Sequence, residues 1–208
     1  MRNAIIDLMN KLESIDYVRS DSVPNIDLYM DQVTSFLEDQ LTVSKRREED
    51  KLLTKTMINN YTKNDLLPPP NKKKYSKDHI LTLLLIYYFK NILSISDIHA
   101  ILDPITQNYF DNKNGFCMED VYNEIFSIEQ EASKKLLKDF SKKYHVSQTS
   151  FQEFPKEDQE FLHTFAFICQ LSYDVYVKKM LIQKIIDDVI SKDTESSDTD
   201  ANKNTQND

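Results

Sequence analysis

The sequence predicts an all-α protein with at most a small β element. Three observations carry that expectation. A single Gly and six Pro in 208 residues leave few places for the tight turns that hairpins need. The 29% charged content suits long solvated helices. Apolar residues recur at steps of three and four along most of the chain, which is the helical period.

The elements follow in order. Residues 1 to 18 read as a short helix with Ile5, Leu8, Met9 and Leu12 on one face, ending in the polar break Ser20 to Pro24, so that residues 1–24 form an N-terminal helical arm. Asp27 to Gln40 reads as a second helix, with Leu28, Val33, Phe36, Leu37 and Leu41 spaced to face a core. Thr42 to Lys51, which holds Lys45, Arg46 and Arg47, reads as a solvated connector. Thr54 caps a third helix to Asn64, with Ile58 and Tyr61 inward. Pro68, Pro69 and Pro70 then force a stiff excursion that ends in Lys72, Lys73, Lys74 and Tyr75. Ser76 caps a fourth helix to about Lys90. Ser94 or Ser96 opens a fifth, which Pro104 is expected to stop.

After a polar loop around Asn112 to Gly115, residues 118 to 142 form a helix with Val121, Ile125, Ile128, Ala132, Leu136 and Phe140 on one stripe. From Pro155 to about Ile190 the pattern stays helical for about 50 Å at 1.5 Å per residue. Within it, Phe161, Ile168, Val175, Ile182 and Val189 recur every seven residues. This helix is either the core of a helical domain or a dimerisation helix, and its aromatic content on several sides favours a role in both. Residues 116–190 are therefore expected to form a helical dimerisation or effector region. Residues 191–208, rich in Asp, Ser, Thr and Asn, are expected to be a disordered acidic tail.

Cys117 and Cys169 are too few to staple a fold, which suits a reducing compartment. No secretory pattern opens the chain, and the densest apolar run, Leu81 to Phe89, is less than half the about 20 residues that cross a bilayer. A cytoplasmic protein with no membrane contact is expected. The net charge of −8 is unevenly divided: between Lys45 and Ile105 stand 11 Lys and Arg against 7 Asp and Glu, a net of +4, within an otherwise acidic chain. A local basic footprint is the electrostatic signature of phosphate contact, although a solvated surface gives the same count.

The run from Leu53 to Pro68, in which a short helix ends in Tyr61 and passes to Leu66, Leu67 and Pro68, resembles the recognition-helix segment of MerR-like winged helix-turn-helix regulators. Lys73-Lys74-Tyr75-Ser76 resembles the stretch that closes their wing, and Ser94-Ile95-Ser96-Asp97-Ile98 with Leu102 resembles the helix that follows. Within that group the phrases MINNYTKN and LPPPNKKKYSKDHI resemble a bacterial family catalogued only as a domain of unknown function, over about residues 25 to 103. The resemblance implies a DNA-binding head over residues 25–105, double-stranded DNA as partner, and a homodimer through the C-terminal helices.

Residue chemistry agrees at the level of types. Lys55, Thr56 and Asn59 offer donors and acceptors suited to the major groove, Asn60 lies beside them, and Lys63 at the helix end suits a phosphate. Lys72, Lys73, Lys74 and Tyr75 form a basic wing that positions rather than reads. The ordinary alternative for each is a solvated helix face or turn. Asn59 and Asn60 stand where the family carries Arg and Tyr, and the wing lacks the family's Gly. His79, His99, His145 and His163 have no metal-ligand spacing, and no nucleophile, base and orienter assemble, so neither an enzyme nor a cofactor is expected. The two thiols suit either sensors or inert buried groups. The expected function is a sequence-specific, repressor-like transcription regulator, with no effector identifiable. The competing reading is a helical adaptor that kept the helix-turn-helix shape without reading DNA.

Overall fold

The computed structural model describes residue 7, residues 17–112 and residues 115–190. The expected helix over residues 1 to 18 lies almost wholly outside the described residues, and so does the expected tail. The described chain is mainly helical, with β1 (Leu28–Tyr29), α1 (Met30–Leu41), α2 (Lys55–Lys63), β2 (Lys74–Tyr75), α3 (Lys77–Phe89), α4 (Ile95–Tyr109), α5 (Met118–Gln148) and α6 (Lys156–Ile185). Among the described residues no helix is long and apolar enough to cross a membrane. The chain divides into two compact units, a head of residues 18–123 with 179–208 and a second unit of residues 1–17 with 124–178.

The head is built around α3. Its sequence ILTLLLIY has no polar face, and every residue from Ile80 to Tyr87 is buried. A helix apolar all round has to be enclosed, and the neighbouring helices turn their apolar stripes inward. α1 buries Val33, Leu37 and Leu41, α2 buries Ile58 and Tyr61, and α4 buries Ile98 and Leu102. Each fully buried aliphatic side chain contributes about 1.5–3 kcal/mol. The segment before β1 belongs to this core: Val18 and Val23 are buried, the Val18 amide donates to the Tyr88 hydroxyl at 3.1 Å, and the Tyr122 hydroxyl donates to the Val18 carbonyl at 2.7 Å.

Cap chemistry sets the helix boundaries. Thr54 Oγ1 accepts from the Met57 amide at 3.2 Å, and Ser94 and Asp97 satisfy one another's amides at 3.1 Å each. Asp120 accepts from the Cys117 amide at 2.8 Å at the start of α5. At the end of α2 the chain turns through Asp65 with φ 54°, and the Leu66 amide reaches back to the Tyr61 carbonyl at 2.9 Å, a left-handed stop usually given to glycine.

Three expectations are corrected. Leu28 and Tyr29 are not helical, because they pair antiparallel with Tyr75 and Lys74, and α1 begins only at Met30. Pro104 does not stop α4, which continues to Tyr109. The turn beyond Pro104 is anchored from outside the helix: Phe110 is buried edge-on to His79, and the Asp111 amide donates to Asp78 Oδ2 at 2.9 Å. The helix expected over residues 118 to 142 runs to Gln148.

In the second unit α5 and α6 run back on one another through a turn at Phe151, φ 55°. Tyr144 meets Phe167 edge-on at 5.4 Å, Lys143 pairs with Asp139 and Asp174, and His163 Nε2 bonds the Ser150 carbonyl at 2.9 Å. α6 gives way at Ile186–Ile190 to a turn with the wider π spacing, where Ile186 is buried in the head. The stripe expected to bury Ile125, Ile128 and Leu136 is instead exposed at those three residues. The side chain of Ala132, on that stripe, and that of Val189, in the seven-residue repeat, lie outside those described.

Candidate nucleic-acid interface

α2 is two turns and a half long and has two unlike sides. Ile58 and Tyr61 are buried, while Lys55, Thr56, Asn59, Asn60 and Lys63 are exposed. At 3.6 residues per turn these five occupy one arc of about 140°. The helix carries no acidic side chain, and Thr56, Asn59, Asn60 and Lys63 make no side-chain hydrogen bond or ion pair among the described residues. The side chains are thus held out by a buried opposite face and are free to meet donors and acceptors.

The wing is smaller than a full hairpin and is made in an unusual way. The Lys74 amide donates to the Asn71 carbonyl at 2.9 Å, and Lys72 and Lys73 between them have φ of 49° and 64°. Two consecutive left-handed residues define the type I′ turn, which normally takes Asn-Gly. Two lysines take those positions here, so the tip is tight and both ammonium groups stay exposed. β2 then leaves the turn and pairs with β1 rather than with a strand of its own.

A continuous chain of contacts joins this turn to α2. Lys74 Nζ lies 5.4 Å from the centroid of the Tyr29 ring in the paired strand. Two residues on, Asp31 opens α1 and forms an ion pair with Lys55 at the first turn of α2. Tyr29 is exposed at this junction and was not legible as a site residue, because the sequence places it inside a helix. Asp31 likewise reads only as an N-terminal acid suited to a helix dipole.

Tyr75 leaves the candidate interface. It is 3% exposed, its ring stands edge-on to His79 at 5.4 Å, and burial raises its hydroxyl pKa above the ordinary value. Its role is to anchor the wing. His79 completes that anchor: Nδ1 accepts from the Ser76 amide at 3.0 Å and lies 2.8 Å from its hydroxyl, while Nε2 faces the Pro69 carbonyl at 3.4 Å. Burial lowers the His79 pKa, against the pull of the Pro69 carbonyl and of Asp111, Asp78 and Asp27.

The other cations divide. Lys45 is engaged by Glu38 and by the Glu48 carbonyl, whereas Arg46 and Arg47 are exposed. Lys90 is turned inward to the Leu52 carbonyl and over the Tyr87 ring at 4.9 Å, and burial lowers its pKa. Among the described residues no group of three His, Cys, Asp or Glu could hold a metal ion. The Cys117 thiol lies 3.1 Å from Asp120 Oδ2, and burial foremost raises its pKa; Cys169 is exposed on α6.

Comparison with curated proteins and with solved structures gives no match. The model of the family described as "Domain of unknown function (DUF1836)" matches residues 18–125. That stretch starts at Val18, where the head's core starts, and ends two residues past Asn123, where the head's first segment ends. It covers just over half of the chain, which therefore belongs to the DUF1836 family.

Proposed function

We propose that the head is a MerR-like winged helix-turn-helix that binds double-stranded DNA in a sequence-dependent way. α2 enters the major groove, and the Lys72–Lys73 turn rests on the phosphate backbone. The observation that carries this reading is the exposed, acid-free face of α2, joined through Lys55, Asp31, Tyr29 and Lys74 to a rigid basic turn. Asn59 can bond adenine through two hydrogen bonds, and Lys55 suits guanine or phosphate. Lys72 and Lys73 neutralise phosphates without reading bases. A protein of this kind acts repressor-like, by occupying its site.

The competing reading, an adaptor that binds protein instead, draws support from the net charge of −8 and from the exposed apolar residues of α6. Selection of genomic fragments by purified full-length protein, followed by salt titration of the best fragment, separates the two. DNA reading requires a recurrent site whose affinity falls steeply with salt and is lost in Asn59→Ala. Weak binding that is equal on all sequences sinks it in favour of the adaptor.

A further inference from the structure

α6 is apolar on two opposite sides. His163, Phe167, Gln170 and Asp174 face α5 through the hydrogen bonds, ring contact and ion pair they make with it. Half a turn around the helix lie Phe161, Phe165, Ile168, Ser172 and Val175, and Lys179 continues the row. These side chains face solvent: Phe161 is 66%, Phe165 51%, Ile168 54% and Val175 62% exposed. The Phe161 and Phe165 rings stack on one another at 6.2 Å. The steps along the row alternate four and three, which is the seam spacing of a two-stranded coiled coil. A helix covered on one side only would carry charge on the other.

We propose that a second copy of this chain covers this row, with the two α6 helices antiparallel. In this register Phe165 lies opposite the partner's Val175, Ile168 opposite the partner's Ser172, and Phe161 opposite the partner's Lys179. Charge sets the direction. The start of α6 is acidic, with Glu157, Asp158 and Glu160, and its last third is basic, with Lys178, Lys179 and Lys184. Parallel helices would bring like ends together and set Lys179 against its own copy inside the seam. Antiparallel helices bring the acidic end of each against the basic end of the other. They also lay each Lys179 ammonium over a phenyl ring, a favourable cation–π contact. Ser172, the small residue of the row, falls near the two-fold axis, where it lets the backbones approach. The seam from Phe161 to Lys179 is about 27 Å long. The inference concerns assembly and stands apart from what the head binds.

Sedimentation velocity of the full-length protein at micromolar concentration is expected to give a dimer, and Ile168→Asp a monomer of unchanged helical circular dichroism. Phe161→Ser, at the exposed end of the row, is the milder variant and weakens the dimer about tenfold or more, as loss of a buried aromatic anchor does. A monomeric wild type, or a dimer indifferent to both variants, overturns the surface. Direction is tested with Cys117 and Cys169 replaced by serine. Phe165→Cys and Val175→Cys carried together crosslink two chains under mild oxidation, while neither alone does. A single variant that crosslinks to itself overturns the antiparallel arrangement.

Discussion

At Lys73 the backbone and the side chain make opposite demands. Its φ of 64° is the left-handed region, which costs a residue with a Cβ about 1–2 kcal/mol, while its ammonium is one of two at the wing tip. Lys73→Gly relieves that strain and loses about 0.4–1 kcal/mol to the freer unfolded chain, for an expected net gain of up to about 1 kcal/mol. The same change is expected to weaken duplex binding on every sequence alike. Calorimetry and DNA titration of the one variant read both signs, and a variant that is less stable would show that the turn is not strained. His79 gives a second residue-level prediction. Its imidazole is lowered in pKa by burial, so the folded chain takes up fewer protons than the unfolded one below the ordinary value of 6.5. Stability is therefore full above about pH 6.5 and falls as pH drops through the window between 6.5 and the lowered folded value. Asp78, whose pKa burial raises, acts with the opposite sign. His79→Gln keeps the reciprocal cap with Ser76, since Gln serves at that position of a capping box, but removes the titrating ring. Urea unfolding at pH 7.5 and 5.5 is expected to show a smaller loss of stability in His79→Gln than in the wild type, and an equal loss would rule His79 out as the titrating group.

Among the elements, those whose boundaries rest on local chemistry were legible in the sequence. Thr54, Ser76 and Ser94 mark helix starts because a side-chain oxygen there meets an amide two or three residues on, whatever the rest of the fold does. Elements set by distant partners were not legible. Leu28 and Tyr29 fit a helical period as well as a strand, and only pairing with Tyr75 and Lys74 decides between them. The wing turn was hidden because Lys-Lys carries none of the Asn-Gly signal. Of the nine proposed contact residues, the five on α2 could be read from spacing alone. Tyr75 could not, because whether an aromatic beside a basic run points inward depends on His79 and Phe110, which pack against it from other elements. Pro104 misled for the same kind of reason: the rule that proline ends a helix is local, and the anchor at Phe110 and Asp111 is not. Pro104→Ala restores an amide donor inside α4 and is expected to raise stability by about 1–2 kcal/mol, somewhat less than the full cost of an interior proline because the unfolded chain also gains freedom. Denaturant unfolding measures it, and a loss of stability would mean that α4 depends on the kink.

At the scale of the whole molecule the acidic net charge and the basic head are reconciled by distance. Charges beyond about 10 Å are screened at ordinary salt, so a duplex at α2 and the wing meets the local cations rather than the total of −8. The two proposals then make a joint prediction that neither makes alone. If each head neutralises its own phosphates and α6 holds two heads together, the slope of log affinity against log salt counts the contacts of both heads, at about 0.9 per phosphate. Replacing Lys72 and Lys73 by alanine removes two contacts per head, so the slope is expected to fall by about 4 in the dimer with no change in sedimentation. Ile168→Asp leaves every cation in place yet separates the heads, so it is expected to halve the slope on a single duplex. Combining the two changes in one chain should then lower the slope by only about 2 relative to Ile168→Asp alone. Equal losses in the monomeric and dimeric backgrounds would mean that only one head of the dimer touches DNA, which would separate the assembly on α6 from the reading by α2.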